Sequence, residues 1–113
     1  MKTVNSLKLQ DTVTSASAGK IISCWNTNRL VAHVKGTSTT FTINFQASLD
    51  GKNDEDFFNV EGYKKSDITT RTSSVTSTGD GWDFDVTPYK YFRANVSSIS
   101  DGNITIIANI IRE

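Results

Sequence analysis

Residues Phe41 to Gly51 read Phe-Thr-Ile-Asn-Phe-Gln-Ala-Ser-Leu-Asp-Gly. Phe41, Ile43, Phe45, Ala47 and Leu49 alternate with Thr42, Asn44, Gln46 and Ser48. Apolar residues at period two give one strand an oily face and a wet face. Asp50-Gly51 then reverses the chain, since Gly tolerates positive φ and Asp bonds its own backbone. A second such strand lies near the C-terminus, where Ile104 to Ile111 follows the turn Asp101-Gly102. Its isoleucines fall on both faces, which predicts a central or doubly covered strand.

Turn clusters punctuate the rest of the chain every ten residues or so, the spacing of short-strand β proteins. Strands are predicted at Ser6–Val13, Lys20–Trp25, Arg29–Lys35, Trp82–Val86 and Tyr89–Ser98, and Phe57–Val60 resumes apolar character after a polar loop. Ser66–Val75 is Thr-rich and weakly patterned, an edge strand or a long loop. Pro88 interrupts its ladder because it has no N–H to donate. No window of a dozen residues holds the 3.6-residue period of a helix. The expected fold is all-β: one domain over residues 1–113, a single antiparallel β-sandwich, jelly-roll-like, of about eight strands. Phe41, Ile43, Phe45 and Leu49 should share its core with Phe92, Val96, Ile104 and Ile106.

Charge narrows the function. Twelve basic residues balance 12 acidic ones, and the longest basic run is Lys64-Lys65. A phosphate-tracking surface needs clustered Lys and Arg, so nucleic acid is not an expected partner. No basic amphipathic helix suggests a membrane surface. Met1 to Ser15 has no continuous apolar run, so no signal peptide is expected. Cys24 is the one cysteine, so no internal disulfide can form, which suits folding in a reducing cytosol.

Candidate chemistry is thin. His33 alternates outward in its strand, and no nucleophile-elbow motif accompanies it. Cys24 reads as a small core residue. Asp50-Gly-Lys-Asn-Asp-Glu-Asp56 is dense in oxygen ligands but lacks EF-hand spacing and carries Lys52 within it. Asp80, Asp83 and Asp85 read as a turn and an exposed strand face. No catalytic residue, metal ligand or cofactor is therefore expected. Exposed aromatic rings are the signature of sugar recognition. Trp25, Tyr63 and Trp82 are the carbohydrate-binding candidates, with Tyr89 and Tyr91 beside them; ordinary core packing is the competing explanation. Asn95-Val-Ser97 and Asn103-Ile-Thr105 match the glycosylation pattern, which arises readily by chance.

Several segments in order resemble a family of small phage and prophage proteins. They are Leu-Val-Ala-His-Val-Lys-Gly (Leu30 to Gly36), the strand ending Ser48-Leu-Asp-Gly51, and Val86-Thr-Pro-Tyr-Lys-Tyr-Phe-Arg-Ala-Asn-Val96. A Gly turn and a final alternating strand, Asn103 to Ile110, complete the set. Where the family has Asn-Trp shortly after Asp-Gly, this chain has Asn53 followed by Asp54-Glu-Asp-Phe57. The resemblance implies a non-catalytic virion component, a capsid-decoration or tail part, made in the host cytoplasm. It implies other virion proteins, and copies of the chain itself, as partners. The alternative is a carbohydrate-binding or receptor-binding module using exposed rings on cell-surface sugar.

Overall fold

Alternation becomes strand throughout. A computed structural model describes the backbone of residues 3–112 and the side chains of residues 5–110. Among these residues eleven strands follow in chain order. They are β1 (Thr3–Val13), β2 (Ile22–Ser23), β3 (Thr27–Gly36), β4 (Phe41–Ser48), β5 (Phe57–Asn59) and β6 (Gly62–Lys64). β7 (Asp67–Thr72), β8 (Ser74–Val75), β9 (Gly81–Asp85), β10 (Tyr91–Ile99) and β11 (Ile104–Arg112) complete the set. One 3-10 turn, Asp54–Asp56, precedes β5.

The pairing is nested. β1 pairs with β11, β2 with β10, β3 with β9 and β4 with β5, all antiparallel. A chain paired this way is one long double ribbon. Rolled up, it places β11 against β3 and β10 against β4. The sheet orders β1-β11-β3-β9 and β2-β10-β4-β5 that result are those of an eight-stranded jelly roll. The short strands β6 and β7 extend the first sheet beyond β9, and β8 covers part of the free edge of β4.

The inward face of β4 meets those of β9 and β10. Phe45 and Phe84 lie 4.7 Å apart between ring centroids, Phe84 and Phe92 5.0 Å, and Phe45 and Phe92 6.2 Å. Gly62 lets the backbone pass beneath them, because a Cβ there would sit 2.5 Å from the Phe84 ring. Phe41, Ile43, Val96, Ile104 and Ile106 complete the expected core, and Cys24 is buried as expected.

Leu49 departs from it at 61% exposed. Ser48 is the reason. Its hydroxyl donates to the Gly51 carbonyl at 2.6 Å and accepts from the Gly51 N–H at 3.1 Å. The turn therefore begins one residue early and takes Leu49 out of period. A turn also shortens β2 relative to the predicted Lys20–Trp25: Thr27 N–H donates to the Cys24 carbonyl, and Asn26 has φ 58. Ser66–Val75 resolves into β7 and β8. β11 is central in its sheet, but its outer face is only partly covered: Ile104, Ile106 and Ile110 are buried and Ile107 is half-buried.

Both edges of the larger sheet are irregular. β1 shifts register on either side of Gln10 and carries Thr12 at φ 53; β7 shifts between its pairings with Tyr63 and Lys64. Such bulges blunt an edge against further strands.

At one end of the roll Asp101 ties the β10–β11 turn to the β3–β4 turn. It accepts from the Ser38 hydroxyl (2.9 Å), the Thr39 hydroxyl (2.6 Å) and the Thr40 N–H (3.0 Å). The Thr39 and Ser38 hydroxyls hold its carboxyl down to about 2.

This packing makes Phe45 and Leu49 opposites. Phe45→Ala should lower unfolding free energy in urea by about 3–5 kcal/mol, and Leu49→Ala by less than about 0.5. A Phe45→Ala loss under about 1 kcal/mol would contradict the ring cluster as the centre of the core. For Asp101, the folded-state pKa lies below its ordinary 3.8. Its contribution is complete above that value and is lost as pH falls through about 2. Asp101→Asn should lower the Tm at neutral pH and narrow the gap to wild type as pH drops; a gap independent of pH would refute the assignment.

Candidate functional site

The opposite end is organised around the β9–β10 connection. Pro88 ends the β9 ladder, and Tyr89 N–H closes a turn onto the Val86 carbonyl at 3.0 Å. Neighbouring segments anchor this turn. Val86 N–H donates to Asn28 O, Lys90 N–H to Ser48 O and Cys24 N–H to Lys90 O, each at 2.9 Å. Thr87 N–H donates to the Asp85 carboxylate at 3.0 Å. The Thr87 hydroxyl and this N–H hold the Asp85 carboxyl below its ordinary value.

Three hollows adjoin the turn. The first, ≈ 450 Å³, is lined by Asn28, Arg29, Tyr63, Asp83, Asp85 and Thr87. The second, ≈ 530 Å³, includes Trp25, Leu49, Thr87, Pro88 and Tyr89. The third, ≈ 470 Å³, includes Phe58, Tyr63, Arg71, Asp85, Pro88 and Tyr89. Shared walls at Tyr63, Asp85, Thr87, Pro88 and Tyr89 make them one continuous surface. Trp25, Leu49, Phe58 and Tyr63 all line it; Ile68, on edge strand β7, is the remaining large exposed hydrophobic among the described residues.

The sequence candidates separate here. Trp25 is 75% exposed and Tyr63 45%, whereas Trp82 is 4% exposed and belongs to the core. Trp82 is thus unable to serve as a stacking platform: the alternation Trp82-Asp-Phe-Asp puts it on the same inward face as Phe84. Tyr89 meets Phe58 edge-on at 5.9 Å. Tyr91 lies apart, with the Lys52 ammonium 5.1 Å from its ring centroid. His33 is exposed on β3. In the sequence Leu49 and Phe58 are legible only as apolar residues; the signal for Leu49 is the turn-forming Ser48 before it.

Charged groups of the first hollow are locked together. Arg29 clamps Asp83 with Nε at 3.3 Å and with its terminal nitrogen, and Lys65 reaches the same carboxylate at 3.4 Å. The Asp83 pairing raises the Arg29 pKa above its ordinary value.

The XepA family model matches residues 3–109. The chain belongs to the XepA family. Its fold matches that of the SPBc2 prophage-derived protein YomS, with TM-score 0.87, 23% identity, and coverage of 98% of this chain and 95% of that one. It also matches the PBSX exported protein XepA, with TM-score 0.88, 20% identity, and coverage of 97% of this chain and 38% of that one. The chain therefore spans well under half of XepA's length. No curated protein matches the sequence.

In this XepA-family chain the acidic stretch after Gly51 folds down onto the outer face of the smaller sheet. Asp54 accepts from Arg93 at 2.8 Å, and Asp56 accepts from the Asn53 N–H at 3.0 Å. Arg93 is 5% exposed, donates to Gln46 at 2.8 Å and lies 4.1 Å from the Phe57 ring centroid. Among the described residues no group of three or more His, Cys, Asp or Glu is placed to hold a metal. Melting curves with calcium and with EDTA should coincide; a reproducible rise of several degrees with calcium would reassign the loop as an ion site.

Proposed function

We propose that this chain is a non-catalytic phage or prophage virion component, a capsid-decoration or tail part, that docks to other virion proteins through the Pro88–Tyr89 end of the roll. The observation that carries this reading is the gathering of Trp25, Leu49, Phe58 and Tyr63 on one continuous surface. Concentrated exposed apolar side chains mark interaction surfaces. Membership of the XepA family and the end-to-end fold match to a prophage-derived protein support the phage context. XepA itself is an exported protein of PBSX, and export agrees with a destination outside the cytoplasm in which the chain is made.

Copies of the chain itself are a second class of partner. The isoleucines of β11 give that idea less than their number suggests, because Ile104, Ile106 and Ile110 lie in the core. Ile107 remains on the outer face, and the side chain of Ile111 lies outside the described residues.

Mass spectrometry of purified particles tests the proposal. The chain should be present at fixed stoichiometry, and Leu49→Asp, a change at an exposed position, should leave the fold intact and deplete the chain from particles. A chain absent from particles, or Leu49→Asp incorporated at the wild-type level, would overturn it.

A further inference from the structure

The first hollow differs from its neighbours in chemistry. Trp25 and Leu49 mark one neighbour, and Phe58 and Tyr89 the other. Here one aromatic ring, Tyr63, faces two carboxylates, a guanidinium, an amide and a hydroxyl. Its volume, ≈ 450 Å³, falls within the range of small-ligand pockets.

All of these groups but Thr87 stand on strands, and Thr87 lies in the turn after β9, where its N–H is bonded to Asp85. Tyr63 on β6 is the register partner of Asp83 on β9, and Asp85 on β9 is the partner of Arg29 on β3. Arg71 pins the ring, donating to the Tyr63 hydroxyl at 3.2 Å with its guanidinium 5.4 Å from the centroid. A ring and carboxylates already held in place lose little freedom on binding.

Charge selects the ligand. Asp83 and Asp85 are balanced by Arg29 and by Lys65, which bonds Asp83, and Arg71 beside the ring is offset by the nearby Glu61. A balanced site offers no net attraction to phosphate or to a metal cation. It does offer fixed donors and acceptors around a ring, the complement of hydroxyls that each donate and accept. The apolar face of a pyranose supplies the match to the ring.

We propose that this hollow binds an uncharged sugar residue, stacked on Tyr63 with its hydroxyls on Asp85 and Arg29. Trp25, in the adjoining hollow, lies outside this subsite, and Trp82 is buried. Tyr63 also belongs to the proposed docking surface, but the purified chain alone should bind sugar, so the two proposals fail separately.

The test is titration of the ¹⁵N-labelled chain with glucose, galactose, N-acetylglucosamine and their short oligomers, followed by amide shifts. Saturable shifts should centre on Tyr63, Asp83 and Asp85 with at least one sugar. Tyr63→Leu and Asp85→Asn should each weaken binding about tenfold with spectra otherwise folded, while Trp25→Ala leaves affinity unchanged. No saturable shift with any of these sugars would overturn the proposal. So would shifts centred on Trp25, undiminished binding in Tyr63→Leu, or saturable binding of inorganic phosphate at the same amides.

Discussion

Contact among Phe45, Phe84 and Phe92 is the interaction on which the rest of the molecule depends. The three rings come from β4, β9 and β10 and join the two sheets at their centre. Each ring buries a large apolar area, and tilted aromatic pairs add to that burial. Their effect reaches the surface because Phe84 and Phe92 bracket the β9–β10 connection. Val86, fully buried, continues the anchoring into the turn. Pro88 and Tyr89 are thus held by core packing on both sides and by backbone hydrogen bonds to β3 and β4. The hollows around them are features of the roll itself.

Polar groups give the remaining surface a different character. Bulges interrupt both edges of the larger sheet, and β5 and β8 cover the outer edge of β4. Arg93 crosses the outer face of the smaller sheet beneath the acidic loop, where Asp54, Gln46 and the Phe57 ring surround its guanidinium. A charge buried this deeply persists only when paired and hydrogen-bonded. The acidic loop is therefore tied to the sheet through Asp54. Set against edges and faces of this kind, the end around Pro88 gathers the exposed side chains of Trp25, Leu49, Phe58 and Tyr63.

Period-two alternation makes the sandwich legible in the sequence: Leu30, Ala32 and Val34, then Ile43 and Phe45, then Phe92, Ala94 and Val96 all face inward as the pattern demands. The nested pairing is less accessible, because β1 and β11 are joined by contacts across nearly the whole chain and no local signal encodes them. Leu49 escapes its expected place because alternation continues in the sequence past the residue where the Ser48 hydroxyl turns the backbone. Trp82 reads as a candidate surface ring even though its alternation with Phe84 marks it as core. The site's aromatics are visible one by one, in Trp25 and Tyr63, but their convergence on a single end is a product of the roll.

Site-specific photo-crosslinking on intact particles tests most directly whether the Pro88 end is the contact surface. A benzophenone side chain placed at Leu49 sits on that end, and one placed at Ile68 sits on the β7 edge; both positions are exposed. A discrete crosslink from position 49 to another virion protein, and none from position 68, is the expected result. Crosslinks from position 68 with none from position 49 would contradict it, and would move the contact surface to the sheet edge.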